Sequence, residues 1–268
     1  MKKPTAAALA VVMSMAAHAG WEISGYAAFD ISSDYVLYGA LQNREPCCWT
    51  YGELNLLPTS QGGAGISLWQ NTDMTCRRKN TMRRMNEWDY AAYYRHRTDI
   101  ADGWQLAGEA GHIWYKYHGL KHDAETIYKT MMEAYIRLEL QNPFLTPYLF
   151  TAYDHQVTEG IFATFGCKRD FQLPFNLTFT PDFTAGGGDE RYLACLYPPW
   201  GEGKVKSGLS YLQLAGRLSY MFNDHIGIHA QIAYAAIISR HIRSGIDDVE
   251  TDYRKQFAWG PIGIDFLF

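Results

Sequence analysis

The chain reads as an all-β protein that crosses a membrane as a closed, antiparallel up-and-down β-barrel of about twelve strands. Three observations lead there. Several segments that alternate apolar and polar side chains persist for about eleven residues or more, twice the roughly five or six that a soluble β-sandwich needs. Beyond the first nineteen residues no apolar run is long enough to cross a bilayer as a helix, so only a barrel remains as a spanning structure. Aromatic residues make up 15% of the chain, with 19 Tyr and 8 Trp, more than a soluble core usually takes up; barrels place them in girdles at the two membrane interfaces.

Residues 1–19 have the three parts of a secretory signal: Lys2 and Lys3, an apolar run over 6–17, and a small-x-small exit at Ala17-His18-Ala19. About twelve apolar residues are too few for a membrane anchor, which needs roughly twenty. The expected division is therefore a signal peptide at 1–19 and a barrel at 20–268. No Cys follows the cleavage point, which argues against a lipoprotein.

Period-two alternation, broken by turn residues, marks strands over 21–38, 49–57, 62–70, 88–97, 104–117, 132–141, 145–154, 160–169, 173–185, 208–222, 226–240 and 254–268. The first puts Ile23, Ala27, Phe29 and Ile31 on one face and Ser24, Asp30, Ser32 and Asp34 on the other. The sixth is the cleanest. There Met132, Ala134, Ile136, Leu138 and Leu140 alternate with Glu133, Tyr135, Arg137, Glu139 and Gln141, charges that a helix would scatter around its circumference. An even count suits a single-chain bacterial barrel, and the connections alternate in length once the N-terminus is placed in the periplasm. Those at 39–48, 71–87, 118–125, 155–159, 186–207 and 241–253 are mostly long and polar and face outward, whereas 58–61, 99–103, 142–144 and 223–225 are short periplasmic turns.

Ile262, Ile264, Phe266 and Phe268 share one face of the last strand, Asp265 points the other way, and the chain stops on an aromatic residue. This ending resembles the terminal strand of bacterial outer-membrane β-barrels. The resemblance implies an outer-membrane address and makes Phe266 and Phe268 the signal read by the barrel assembly machinery. Residues 32–39, Ser-Ser-Asp-Tyr-Val-Leu-Tyr-Gly, followed by Gln42 and Pro46, are similar to the first strand and loop of an exported bacterial barrel family of unknown function. That family often has Arg between the Tyr and the Gly, where this chain has Val36-Leu37-Tyr38, and the resemblance carries over no catalytic residue.

With Lys2 and Lys3 removed, about 22 basic residues face 28 acidic ones, a net charge of about −6 that argues against nucleic acid as a partner. The polar faces direct Glu87, Asp89, Arg95, Arg97, Glu133, Arg137, Glu139, Arg217, His229 and Gln231 into the lumen. Charges removed from bulk water demand partners, so this set reads either as a lattice of ion pairs that fills a narrow barrel or as the wall of a polar pore. Arg77, Arg78, Lys79, Arg83 and Arg84 form a cationic loop suited to lipopolysaccharide phosphates. Asp247, Asp248, Glu250 and Asp252 form an acidic loop with carboxylates for Ca²⁺ or Mg²⁺. Both runs read equally as solvated loops, or as each other's partners. Five Cys leave at least one unpaired; Cys47, Cys48, Cys76 and Cys195 fall on the extracellular side as disulfide candidates, while Cys167 ends a strand near the periplasm.

Enzymatic readings are weaker. The His-x-Ser order of outer-membrane phospholipases finds only the echoes Ser239-Arg240-His241, reversed, and His96-Arg97-Thr98, with Thr for Ser, in a chain with nine His. His118 and His122 have a helical spacing in a loop, and Gly186-Gly187-Gly188 reads as loop flexibility rather than as a phosphate loop. The sequence therefore predicts an outer-membrane barrel without a cofactor, a narrow passive channel for small polar solutes in contact with membrane lipid and lipopolysaccharide. The alternatives are a barrel that acts through its extracellular loops and, third, a membrane-embedded lipid hydrolase. An inward fold of the loop at 186–207, carrying Tyr197 and Trp200 into the lumen, would mark a constricted or plugged channel.

Overall fold

The first stave, β1 (Glu22–Ser32), pairs with both ends of the chain's remaining sheet, and from that double pairing the whole wall closes. The computed structural model describes residues 22–59, 61–74, 86–118, 130–197, 205–247 and 254–268. The wall continues through β4 (Cys47–Thr59), β5 (Gly62–Asp73), β6 (Asn86–Ala101), β7 (Trp104–His118), β8 (Thr130–Gln141), β9 (Thr146–Asp154) and β10 (Gly160–Lys168), each antiparallel to its predecessor. It then runs through β12 (Leu177–Gly188), β13 (Gly208–Met221), β14 (Ile226–Ile237) and the broken final stave β15 (Gln256–Trp259) and β16 (Pro261–Leu267), which returns to β1. β11 (Phe171–Leu173) extends the β10 stave as a short hairpin with β12. The result is a closed twelve-stave antiparallel barrel.

Side-chain alternation decides the two faces as the sequence predicts. On β8, Glu133 and Tyr135 are buried inside, while Ile136 and Leu138 are 50% and 40% exposed on the outside. Exposed Phe29, Ile31, Ile66, Leu149, Phe165, Leu214, Ile232 and Ile262 continue that outer apolar surface around the wall, the band that faces lipid in a membrane barrel. The final stave breaks at Gly260, where a Cβ would stand 2.1 Å from the carbonyl oxygen of Gln231.

Closure is completed at the periplasmic end. The Gly25 amide donates to the Phe268 carbonyl at 2.7 Å, and the Phe268 amide donates back to Gly25 at 3.1 Å. The Phe268 ring lies over the Gly25 backbone, so close that a Cβ there would sit 2.1 Å from the ring. Gly25 thus makes room for the terminal aromatic residue.

Three local expectations are corrected. The first stave stops at Ser32 rather than running to Tyr38: the chain bends at Ser33 and Asp34, with the Ser32 hydroxyl donating to the Asp34 carbonyl, and forms a separate hairpin, β2 (Tyr35–Leu37) with β3 (Ala40–Asn43). The connection at 186–207 contains a helix, α1 (Glu190–Leu196), whose N-cap Asp189 accepts a hydrogen bond from the Tyr192 amide. The connection after β14 contains a second helix, α2 (Arg240–Asp247).

Two predictions follow from the wall. Leu138→Arg, which sets a cation on the lipid face of β8, is expected to destabilise the barrel by roughly 2–4 kcal/mol if it lies at the bilayer midplane, whereas inward-facing Glu139→Gln costs less; urea unfolding in lipid vesicles compares them, and the reverse order would contradict this facing. Gly25→Val is expected to unseat Phe268 and to reduce the fraction of protein that migrates as a folded barrel on unboiled gels, and deletion of Phe268 is expected to do the same. An unchanged folded fraction would show that the ring contact is dispensable.

Candidate functional site

The lumen has two levels with different chemistry. The lower level, toward the periplasm, is built from charges that pair within a stave, with the adjacent stave or across one stave. Arg95 on β6 donates from Nε to Glu109 Oε2 on β7 at 2.8 Å and approaches Glu53 on β4 at 3.4 Å. Tyr51, Asn55 and Tyr135 hydrogen-bond the same two carboxylates. On the next stave, β8, Arg137 pairs with Glu139, which Lys168 on β10 also approaches at 3.4 Å. A third group surrounds Asp265: Arg217 Nη2 lies 3.1 Å from Oδ1, His229 Nδ1 lies 2.9 Å from Oδ2, and His229 Nε2 reaches Asp30 at 3.0 Å. Oppositely charged pairs in a confined lumen lower the desolvation cost that either partner alone would carry.

The upper level is closed by loops. Tyr35 of the β2–β3 hairpin is buried and its hydroxyl donates to Glu87 on β6. Tyr192 of α1 donates to Glu133 on β8, which also accepts from the Tyr115 hydroxyl at 2.6 Å. Around these polar contacts Tyr38, Phe162, Leu193, Leu196, Tyr197, Tyr211, Ile237 and Ile242 pack into one apolar cluster, with the Tyr38 and Phe162 ring centroids 4.4 Å apart. The hairpin reaches this depth through a tight reversal at Tyr38 and Gly39, both with positive φ. A Cβ on Gly39 would meet the Tyr211 ring at 2.1 Å, so glycine is required there for two reasons at once.

All ten lumen candidates lie on the inward-facing positions of their staves. Arg95, Arg137, Glu139, Arg217 and His229 enter the lower pair network. Glu87, Asp89 and Glu133 belong instead to the upper, tyrosine-rich level. Gln231 stands beside Arg217 in the ladder, and Arg97 is exposed near the periplasmic rim. The partners Glu53, Glu109 and Lys168 were missed, although each occupies an inward parity position of its stave; Tyr35, Tyr38 and Tyr192 were missed because no local pattern aims a loop into a barrel.

Other candidates divide. Arg77, Arg78, Lys79, Arg83, Arg84, Cys76 and Trp200 lie outside the described residues, as do Asp248, Glu250 and Asp252; Asp247 ends α2. The expected disulfides are corrected as far as the described cysteines go: Cys47, Cys48 and Cys195 are free. Cys47 is fixed in the wall beside Asp73, whereas Cys195 belongs to the inserted helix, where burial pushes its thiol up to about 11 and keeps it protonated at neutral pH. Phe266 and Phe268 lie at the seam with β1. Of the hydrolase echoes, the Thr98 hydroxyl is 3.0 Å from His96 Nε2, but this exposed pair lies on the outer face near the periplasmic end, and among the described residues no carboxylate or amide orients the ring from its other side. Among the described residues no group of three or more His, Cys, Asp or Glu side chains is arranged to hold a metal ion.

A closed lipid-faced wall, an aromatic C-terminal seam and a charged lumen define a bacterial outer-membrane β-barrel protein. No protein-family model matches the chain, and no curated protein matches it in sequence. Among solved structures the chain is similar in fold to an outer-membrane channel from Pseudomonas putida F1, with a TM-score of 0.53 at 6% identity over 92% of this chain and 95% of that one. It also aligns with the KdgM porin, at a TM-score of 0.48 and 8% identity over 91% of this chain and 99% of that chain. A further alignment is with outer membrane phospholipase A from Escherichia coli, at 0.48 and 13% over 91% and 92%.

The plug contacts carry their own prediction. Tyr192→Phe removes a hydrogen bond to a carboxylate, worth about 1.5–3 kcal/mol, and is expected to shift the balance between seated and released α1 by roughly ten- to a hundredfold. Protease cleavage within 189–207 on folded protein reads this out. Unchanged cleavage would show that Tyr192 does not hold the helix.

Proposed function

We propose that the protein is a narrow channel for small polar solutes, with its outer mouth closed by α1 and the β2–β3 hairpin in the arrangement described. One observation carries this reading. Inside the lower lumen the Arg137 and Arg217 side chains, although paired, remain 45% and 37% exposed. Inward-facing side chains with that exposure support a lower lumen open toward the periplasm rather than a packed core. The closure above it is made of loops rather than of staves, and loops separate from a barrel without breaking its ladder.

A second reading has specific support. Tyr197 is buried in the upper cluster, the condition under which the barrel is plugged and acts through its extracellular loops on the cell surface, with lipopolysaccharide as the expected contact. The hydrolase reading draws no comparable support from His96 and Thr98. The likeness of residues 32–39 to an exported barrel family of unknown function supports the fold and favours neither reading; in this chain that segment leads into the hairpin that closes the mouth.

Planar bilayers separate the two readings. The channel is expected to give small discrete current steps, and deletion of residues 189–197 is expected to make them larger and more frequent. Arg137→Gln or Arg217→Gln is expected to move ion selectivity toward cations, because Glu139 and Asp265 then lose a neutralising partner. Liposomes carrying the folded protein are expected to admit small sugars or amino acids. Folded protein that neither conducts nor swells liposomes, with or without residues 189–197, would overturn the channel reading and leave the loop-acting barrel.

A further inference from the structure

Two histidines from separate parts of the wall meet on the outer surface. His112 stands on the outer face of β7, held in register between Ala92 and Ala134. His155 is the first residue after β9, and its amide donates to the Met132 carbonyl at 3.1 Å. Their Nε2 atoms are 2.6 Å apart and their ring centroids 4.9 Å apart, with the planes tilted by 56°. The pair lies at the end of the barrel opposite the chain's terminal seam, which is the extracellular side in the topology above.

The turn that carries His155 is fixed in advance. Asp154 points inward and its carboxylate accepts the amides of Gln156, Val157 and Thr158 at 3.0, 3.2 and 2.6 Å, an arrangement in which an aspartate side chain caps its own turn. With Asp154 turned in, strand alternation turns His155 out. His112 is constrained as well: the Trp114 ring lies 4.5 Å from its own ring centroid. Its Nδ1 is buried with no hydrogen-bond partner, so Nε2, the atom that faces His155, is the nitrogen able to meet a ligand.

We propose that His112 and His155 form a two-histidine site for a borderline divalent transition ion, Cu²⁺, Ni²⁺ or Zn²⁺, on the outer surface of the barrel. Two neutral imidazole nitrogens aimed at one point are the donor type these ions select, with Cu²⁺ bound most tightly. Metal–nitrogen bonds of about 2.0–2.1 Å in a tetrahedral arrangement separate two donors by roughly 3.3 Å. The rings therefore part by less than 1 Å to admit the ion. Water completes the coordination from the exposed side. Binding ties the β9–β10 turn to β7 and fastens the outer rim of this wall.

The test uses tag-free mature protein folded in detergent, titrated with Cu²⁺ and followed by calorimetry and electron paramagnetic resonance. The expected result is one saturable equivalent per chain with hyperfine structure from nitrogen ligands, lost in His112→Ala, in His155→Ala and in the conservative His155→Gln. Each variant is first shown to migrate as a folded barrel. Absence of saturable binding in the unsubstituted protein, or an unchanged spectrum in the double variant, would overturn the site. A second measurement needs no substitution: Cu²⁺ is expected to protect His112 and His155 from acylation by diethylpyrocarbonate in mass mapping, and equal modification with and without the ion would also overturn it.

Discussion

In the hydrocarbon layer of a bilayer no water is present to satisfy a backbone amide or carbonyl, and each unsatisfied group costs several kcal/mol. A sheet can meet that condition only by having no edge. The pairing of β1 with β16, sealed by the two hydrogen bonds between Gly25 and Phe268, is what removes the edge here. Everything else in the molecule depends on it. The lipid-facing band exists only on a closed wall, and the inward charges are confined, and therefore obliged to pair, only once a lumen has been enclosed.

Closure of twelve staves then poses a second problem, because a barrel of this size lies between those filled by their own side chains and those that leave an open aqueous channel. The two levels of the lumen answer it differently. Toward the periplasm, long Arg, Lys and Glu side chains reach a partner on the adjacent stave or across one stave, and the Arg side chains stay partly exposed. Toward the outside, the wall contributes Glu87, Glu133 and Tyr115, and the volume is filled by segments brought in from the loops. Tyrosine suits that junction because its ring packs in the apolar cluster while its hydroxyl satisfies a buried carboxylate. The lower lumen and the closure above it are thus made from different parts of the chain, the one from staves and the other from loop segments.

Glycine positions record where backbones or rings must come closer than a Cβ allows. Gly25 receives the terminal ring at the lower end and Gly39 receives Tyr211 at the upper end. Both ends of the lumen are therefore fitted around the absence of a side chain, once to close the wall and once to close its mouth.

The sequence by itself determined the barrel. A period of two is a local property, so twelve alternating segments were legible as staves, their lipid and lumen faces as parity, and their outward and periplasmic connections as long and short gaps; the inward placement of Glu133, Arg137, Arg217 and His229 follows from the same rule. What parity leaves open is which inward residue meets which, because ion pairs form between adjacent staves or across one stave at a register fixed only by closure: Arg217 reaches over β14 to Asp265, 48 residues on, and His229 takes both Asp265 on the adjacent β16 and Asp30 on β1 beyond it. The plug was also invisible. Tyr35 finds Glu87 across 52 residues and Tyr192 finds Glu133 across 59, contacts that no periodicity encodes, since a loop's polarity looks the same whether it extends into water or folds back over a lumen. Tertiary structure decided those points because they rest on the shape of an enclosed space, which exists only after the first and last staves have met.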